Sequence, residues 1–258
     1  MEWFGIIEFI IKIFSFLARR FWKNKNIVFC NSNVKNCNIE ELRPFIQPSD
    51  AKIVKVQTRG RGIKGFKWHF TLMRIKLMII KYNMGDMCQV YHCGFASQMF
   101  AVYDGYTLGN TNTYNFIDYD NAYYKIERVR FVEDNSNCNI PKESEEINLI
   151  VETSYDIDKS KCNNCYSIEM HDKAPARITK KYLNKVYGFV KAALDACCNS
   201  NVKNVNLYIT AKPSVAFAVG AAIQNYHPKV KVYEYQDNNY MCYLSVKDNK
   251  IVEVRNNG

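Results

Sequence analysis

One group of residues suited to binding an anion follows a predicted strand near the middle of the N-terminal half. Arg59, Arg61 and Lys64 lie in the loop RGRGIKG, directly after the strand IVKVQT at 53–58. Glycines leave backbone N–H groups accessible, and such groups beside cations suit a phosphate. A solvated basic turn is the alternative interpretation.

Two strand-to-helix turns carry a second group. Lys212 and Ser214 flank Pro213, and Ser97 and Gln98 hold the corresponding turn earlier in the chain. Proline fits the first turn of a helix, and helix N-termini attract anions, so these turns are candidate ligand contacts. For Ser214 the alternative is a terminal polar residue without a ligand role.

Polar and aromatic residues follow the later strands. Ser154 and Tyr155 come after the strand INLIVET at 147–153, where they could bind a ribose or a base, or serve as ordinary loop residues. Of the tyrosines near the last strands, Tyr235 and Tyr240 lie nearest the final turn and are the preferred residues for base stacking. Strand alternation directs about half of such tyrosines into the core.

Catalytic and metal-binding patterns are weak. None of the four histidines stands in a nucleophile or HExxH context, so we expect no enzyme activity and no cofactor. Cys162, Cys165 and His171 are weak zinc candidates, because a closed site needs four ligands and a single CxxC is often incidental. The other cysteines show no framework spacing and are typical of reduced core thiols in the cytosol.

The elements that position these residues follow one pattern twice. The first copy has strands at 53–58, 89–93 and 115–119, with helices at 66–82 and 97–108. The second has strands at 147–153, 205–210 and 229–235, with helices at 175–198 and 213–226. Ala96, Ala101 and Gly105 match Ala211, Ala216 and Gly220 at a constant offset, although chance similarity between α/β folds is an alternative.

Alternating strands and helices predict an α/β fold with parallel sheets. Ligands of such sheets bind at the carboxyl ends of the strands. The duplication therefore predicts two half-sites that face a common groove. A formal net charge of +10 favours an anionic partner, although solubility alone explains a charge of this size.

An apolar helix is predicted at residues 3–22, before the repeat. Its polar or small residues form one stripe, made of Gly5, Glu8, Lys12, Ser15 and Arg19. Twenty residues span about 30 Å as a helix, which is the thickness of a bilayer core. The helix could cross a membrane, lie in its interface or dock on a protein. The basic residues that follow would keep the rest of the chain cytoplasmic.

The stretch NLYITAKPSVAFAVGAAIQNYHPKVKVYEYQDNNYMCYLSV resembles the SAVED family, the sensor domain of cyclic-oligonucleotide antiphage defence. YHCGFASQMFAVYDGYTLGNTNTYNFIDYDNAYYKI is similar to the family's N-terminal half. The resemblance covers about residues 50–250. It implies two tandem CARF-like, Rossmann-like units, at about 50–135 and 145–258, within a sensor domain at 26–258 behind a helix at 1–25.

The resemblance also implies a function. The expected ligand is a cyclic di-, tri- or tetranucleotide made by a separate nucleotide cyclase of the same pathway. Binding would drive self-association and activate an effector. Because no nuclease, TIR or protease domain accompanies the sensor, the N-terminal helix would act by disrupting the membrane. The expected location is the bacterial inner membrane with the sensor in the cytoplasm, or the cytoplasm with recruitment to the membrane.

Two other functions stay open. CARF-like folds can cleave their ligand, so a ring-nuclease-like phosphodiesterase is one alternative. An adaptor whose N-terminal helix docks on a separate effector protein is the other.

Overall fold

The structure of the chain is a computed structural model. It describes residues 27–32, 39–46, 52–57, 90–95, 98–109, 113–132, 140–141, 144–236, 238–247 and 250–252. The expected helices at 3–22 and 66–82 lie outside the described residues.

The described residues contain strands and helices in alternation. The strands are β1 (Ile27–Ser32), β2 (Lys52–Gln57), β3 (Val90–Phe95), β4 (Tyr114–Asp120), β5 (Ala122–Val129), β6 (Glu146–Glu152), β7 (Tyr166–His171), β8 (Asn204–Thr210), β9 (Lys229–Gln236), β10 (Asn239–Lys247) and β11 (Lys250–Val252). The helices are α1 (Ile39–Leu42), α2 (Gln98–Leu108), α3 (Lys180–Asn199) and α4 (Pro213–Ala222), with short 3-10 turns at Arg43–Phe45 and Lys159–Lys161.

The strands form two mixed sheets. The order of the first is β2-β1-β3-β4-β5, and the order of the second is β11-β10-β9-β8-β6-β7. In the first sheet β5 runs antiparallel to β4, and the other pairs are parallel. In the second sheet the β9–β10 and β10–β11 pairs are antiparallel, and the other pairs are parallel. The expected α/β class with mainly parallel sheets is confirmed.

The two strand orders correspond position by position, but with a different alignment from the one predicted. Counted from the edge strands β2 and β7, strand β1 matches β6, β3 matches β8 and β4 matches β9. The prediction paired 53–58 with 147–153, and this pairing was wrong because it omitted β1 and β7. The first sheet therefore begins at Ile27, before the predicted unit boundary at about residue 50.

The two omitted strands have weak sequence signals. β1 reads IVFCNS, a short run without a neighbouring helix pattern. β7 reads YSIEMH, and only Ile168 and Met170 of this edge strand are buried. An edge strand with a half-exposed face shows little of the continuous apolar character that marks a central parallel strand.

The two halves pack together through α2 and α4, and the contact requires glycine. A Cβ atom on Gly105 would lie 2.0 Å from the carbonyl oxygen of Phe217, and one on Gly220 would lie 1.9 Å from that of Val102. Gly220 stands at the same offset from Gly105 as Phe217 does from Val102, so the two contacts are related by an approximate two-fold axis. The helix backbones touch here because neither glycine has a side chain.

A separate connector covers the outer face of each sheet. In the first half, Leu42 and Ile46 of the β1–β2 connector pack against Tyr91 and Ile117. In the second half, Ile157 of the β6–β7 connector packs against Ile150 and Tyr208. The connector between β6 and β7 is thus a structured cover that contains a buried apolar residue and a 3-10 turn.

Candidate functional site

The carboxyl ends of strands from the two halves meet at Asp118 and Ser214. Asp118 lies near the end of β4 and is 3% exposed, and Ser214 lies in the first turn of α4 and is fully buried. The Ser214 hydroxyl and backbone N–H both donate to the Asp118 carboxylate. Lys212, the N-cap residue of α4, makes no side-chain capping bond. Asp118 therefore caps a helix of the other half, where a carboxylate compensates the positive helix end.

This carboxylate lies in a polar but buried environment. Burial raises the pKa of Asp118, while the hydrogen bond from Ser214 and the nearby His92 and Lys212 act in the opposite direction. The Nε2 atom of His92 is 3.1 Å from the carboxylate of Asp104, and both side chains are buried. The polar groups at this contact are thus satisfied within the protein, as buried polar groups generally must be.

Gln98 makes the corresponding contact from the first half. Oriented to satisfy its neighbours, its side-chain amide donates to the carbonyl oxygen of Ile209 at 2.6 Å and accepts from the Ala211 N–H at 3.3 Å. The first turns of α2 and α4 therefore each reach across to the other half. We call the contact formed by Gln98, Asp118, Lys212 and Ser214 the seam. Ser97 lies outside the described residues.

Tyr155 is held above the end of β8, next to the seam. The backbone N–H groups of Thr153 and Ser154 both donate to the carbonyl oxygen of Thr210 at 2.9 Å. The Thr210 hydroxyl donates to the carbonyl oxygen of Tyr155. The Tyr155 side chain is 76% exposed, so its ring is accessible while its backbone is fixed. The structure thus places Ser154, Tyr155 and Lys212 at one edge of the second sheet.

Two cations lie at the seam, with Lys212 inside it and Arg177 beside it. The guanidinium carbon of Arg177 lies 5.9 Å from the ring centroid of Tyr124, and Lys212 Nζ lies 6.0 Å from it. Lys212 donates to the carbonyl oxygen of Ala176, and the Tyr124 hydroxyl accepts from the Ile178 N–H at 2.9 Å. Arg177 is exposed. Sequence reasoning missed Arg177 because it placed this residue inside the helix predicted at 175–198. The structure begins α3 at Lys180, so Arg177 lies in the loop before the helix.

Tyr235 and Tyr240 lie on the other face of the sheet. Val230 and Val232 of β9 pack in the main core, so Tyr233 and Tyr235 point to the outer face by strand alternation. The Tyr235 and Tyr240 rings meet edge to face at 5.1 Å, and Lys161 Nζ donates to the Tyr235 hydroxyl at 3.1 Å. The structure therefore does not bring these two tyrosines to the seam.

The first half carries a matching aromatic pair. Tyr119 and Tyr123 pair across β4 and β5 as Tyr235 and Tyr240 pair across β9 and β10. Their ring centroids are 5.2 Å apart in a similar edge-to-face arrangement. Two equivalent tyrosine pairs thus mark the outer faces of both sheets, which extends the duplication beyond the seam.

The zinc candidates do not converge. Cys165 directly precedes β7 and its Sγ lies 3.1 Å from Asn148 Oδ1, whereas His171 ends the same strand and contacts Glu152 and Glu169. Six residues of extended strand separate them by about 20 Å. Burial raises the pKa of the Cys162 thiol to about 11 and also that of Cys165, which opposes thiolate formation. No cluster of three metal-binding side chains occurs among the described residues.

The glycine-rich loop with Arg59, Arg61 and Lys64 lies outside the described residues. The predicted pairing of 53–58 with 147–153 made Ser154 and Tyr155 the counterparts of this loop. The loop follows β2, whose counterpart is β7, so it corresponds to the segment after His171 and not to Ser154 and Tyr155.

Comparison with protein families places the chain in one of them. The sequence profile of the SAVED family, described as the SMODS-associated and fused to various effectors sensor domain, matches residues 82–246. The chain belongs to the SAVED family. The match includes α2, α4 and every described residue of the seam, so the contact between the two halves lies within the SAVED domain.

Solved SAVED proteins share the fold. The Acinetobacter baumannii Cap4 SAVED/CARF-domain containing receptor with the cyclic trinucleotide 2'3'3'-cAAA is 15% identical with a TM-score of 0.57, covering 91% of this chain and 54% of that one. The same receptor with 3'3'3'-cAAA is 14% identical with a TM-score of 0.57, covering 86% and 51%. The Moraxella osloensis Cap4 receptor is 15% identical with a TM-score of 0.53, covering 87% and 50%.

The SAVED chain spans about half the length of these receptors. A comparison with curated protein sequences gave no significant match. The expected N-terminal stripe of Gly5, Glu8, Lys12, Ser15 and Arg19 lies outside the described residues. In the part of the chain that the structure does describe, no helix combines the length and apolar character needed to cross a membrane.

Proposed function

We propose that this SAVED chain is a sensor of antiphage signalling that binds a cyclic oligonucleotide at the seam. The observation that carries the proposal is the meeting of both half-sites at Asp118 and Ser214, beside Lys212 and Arg177. Ligands of open α/β sheets bind at the carboxyl ends of the strands. Here the ends of two such sheets adjoin, which suits a ligand with repeated units.

The side chains around the seam divide into ligand contacts and supports. Arg177 and Lys212 would bind phosphates, since charge-assisted hydrogen bonds to phosphate are strong. The exposed ring of Tyr155 would stack on a base. Ser214 is fully buried and bonded to Asp118, so it supports the geometry and leaves phosphate binding to the two cations.

A cyclic trinucleotide is the first ligand to test. Two solved structures of the Acinetobacter baumannii Cap4 receptor, which shares the fold, hold the cyclic trinucleotides 2'3'3'-cAAA and 3'3'3'-cAAA. Cyclic di- and tetranucleotides belong in the same panel, because the proposed contacts to a phosphate and a base do not set the number of nucleotides in the ring.

Calorimetric titration of the full chain with 3'3'3'-cAAA, 2'3'3'-cAAA and cyclic di- and tetranucleotides tests the proposal. We expect at least one to bind, and R177Q with K212Q to weaken binding by about a hundredfold. K185Q, which removes an exposed lysine charge on α3, should leave affinity unchanged. No binding across the panel, or equal affinity in the double variant, would refute binding at the seam.

We further propose that ligand binding assembles copies of the chain and that residues 3–22 then permeabilise the bacterial inner membrane from the cytoplasmic side. The support is the length and apolar circumference of this segment. A ligand can drive assembly only by binding the assembled state more tightly than the monomer. The ligand would come from a separate nucleotide cyclase.

Dye release from anionic vesicles tests the membrane output. The full chain with its ligand should release dye, and a chain lacking residues 1–25 should bind ligand without releasing it. Ligand-dependent assembly without release would instead support an adaptor that docks on an effector protein. Linear nucleotide products after incubation would support the ring-nuclease alternative.

A further inference from the structure

A second cleft lies at the opposite edge of the second sheet from the seam. It sits where β8 and β9 begin, after the C-terminal end of α3, and has a volume of about 530 Å³. Its lining includes Lys203, Asn204, Asn225, Tyr226, Lys229 and Lys247. A volume of this size is in the range of small-molecule sites, which is roughly 300–1,000 Å³.

The cleft is electropositive and rich in amides. Lys203, Lys229 and Lys247 contribute three cations, and no acidic residue is among the described residues that line the cleft. Lys203 forms an ion pair with Glu145, which lies outside the lining. Lysines and asparagine amides together can bind phosphate oxygens and the polar edges of a sugar or base.

Tyr226 offers an aromatic surface at this cleft, because its ring is 59% exposed. Its hydroxyl accepts from Lys191 Nζ at 2.6 Å and donates to Asp195 Oδ1 at 3.0 Å. The His227 ring packs edge to face against it, with centroids 4.4 Å apart. Two charged side chains and the His227 ring therefore hold the exposed Tyr226 in place.

The network behind Tyr226 joins the buried Lys191 and His227 to the partly exposed Asp195. His227 Nδ1 accepts from the Gln224 N–H at 2.9 Å, so its Nε2 carries the proton and donates to Asp195 at 2.8 Å. Lys191 also donates to Asp195, at 2.7 Å. The three groups lock the tyrosine before any ligand arrives, which lowers the conformational entropy lost on binding.

We infer that this cleft is a second ligand site for a small anion that carries an aromatic ring, the class of nucleoside phosphates. The base would pack on Tyr226, and Lys203, Lys229 and Lys247 would bind the phosphates. Stacking on an aromatic side chain tolerates any base, and lysines act as point charges for phosphate. The site is separate from the seam, because the two lie at opposite ends of the same strands.

Calorimetric titration of the full chain with ADP, adenosine and pyrophosphate tests the inference. ADP should bind more tightly than either part, because only ADP combines the ring and the charge. K229Q with K247Q should weaken ADP by about tenfold, and Y226L by about tenfold. K180Q with K181Q is the matched control, since these exposed lysines lie at the other end of α3, about 30 Å away.

The outcomes separate this site from the seam. ADP binding that R177Q with K212Q abolishes, and that K229Q with K247Q leaves intact, would overturn the inference. So would no binding of ADP, or equal affinity for ADP and pyrophosphate. ADP binding that a saturating cyclic trinucleotide does not displace would support it. If the cyclic trinucleotide fails to bind, that result would contradict binding at the seam and would not contradict the second site.

Discussion

Asp118 caps the N-terminus of α4, a helix of the other half of the fold. Its carboxylate accepts hydrogen bonds from the hydroxyl and the backbone N–H of Ser214. The bond joins the end of β4 to the start of α4, so it fixes the position of one half-site relative to the other. Because Lys212 supplies no capping bond, Asp118 is the side chain that compensates this helix end.

We expect D118A to lower the free energy of unfolding by about 2 kcal/mol, because it leaves the Ser214 hydroxyl and an α4 N–H buried without a partner. Urea denaturation of the full chain measures this. S160A, which removes an exposed hydroxyl bonded to Asp158, is the control and should change stability by less than about 0.5 kcal/mol. A D118A variant as stable as the wild type would show that the bond does not hold the halves together.

The close contact between α2 and α4 predicts that replacing either glycine with alanine lowers the stability of the protein. G105A and G220A should each lower stability by about 3 kcal/mol or more, since the new methyl group would overlap a backbone carbonyl of the facing helix. Helix propensity alone would stabilise either variant by about 1 kcal/mol. A rise in thermal midpoint for either variant would therefore contradict the close contact.

The duplication could be predicted from the sequence, but the strand-by-strand alignment of the two copies could not. The constant offset between Gly105 and Gly220 was detectable because close helix packing restricts both positions to glycine. β1 was missed because no helix pattern adjoins it, and the edge strand β7 was missed because only two of its residues are buried. The hydrogen bond between Asp118 and Ser214 was also beyond prediction, since nothing local in either segment specifies a partner so distant in sequence.

The proposed ligand-binding residues were likewise only partly predictable from the sequence. Ser154, Tyr155 and Lys212 were predicted from their places after strands, and strands of a parallel sheet do end at one edge. Arg177 precedes a helix and follows no strand directly, so this reasoning missed it. Which face of β9 carries Tyr235 depends on how the second sheet packs, and the strand pattern leaves both faces open.

His227 predicts a pH dependence of stability. Burial lowers its pKa, although Asp195 acts in the opposite direction. The unfolded chain takes up the proton near pH 6.5 while the folded chain stays neutral, so stability is present above that pH and falls as the pH drops. Urea midpoints should decrease between about pH 7 and 5, and H227Q should flatten this slope.

His171 provides the control for that experiment. Glu169, and then Glu152, raise its pKa, so its contribution is present at low pH and is lost as the pH rises. Because His171 is about half exposed, solvent screening keeps this opposing contribution small. H171Q should therefore leave or slightly steepen the slope, and a flattened slope in H171Q would refute the assignment to His227.

Metal removal should have no effect on stability. Cys165 and His171 lie at opposite ends of β7, and burial keeps the thiols of Cys162 and Cys165 protonated. Incubation with a strong zinc chelator should leave the thermal midpoint unchanged, and elemental analysis should show no stoichiometric zinc. A drop in midpoint that added zinc reverses would contradict the separation of these residues.

The two exposed tyrosines at the ends of β6 and β9 allow the ligand face to be identified. Tyr155 lies above the seam, whereas Tyr235 lies on the outer face with Tyr240 and Lys161. Y155A should weaken cyclic trinucleotide binding by about tenfold, the loss expected for one stacked base. Y235A is the matched control and should leave affinity unchanged. The reverse pattern, with Y235A weakening binding and Y155A neutral, would place the ligand on the outer face of the second sheet, away from Arg177 and Lys212.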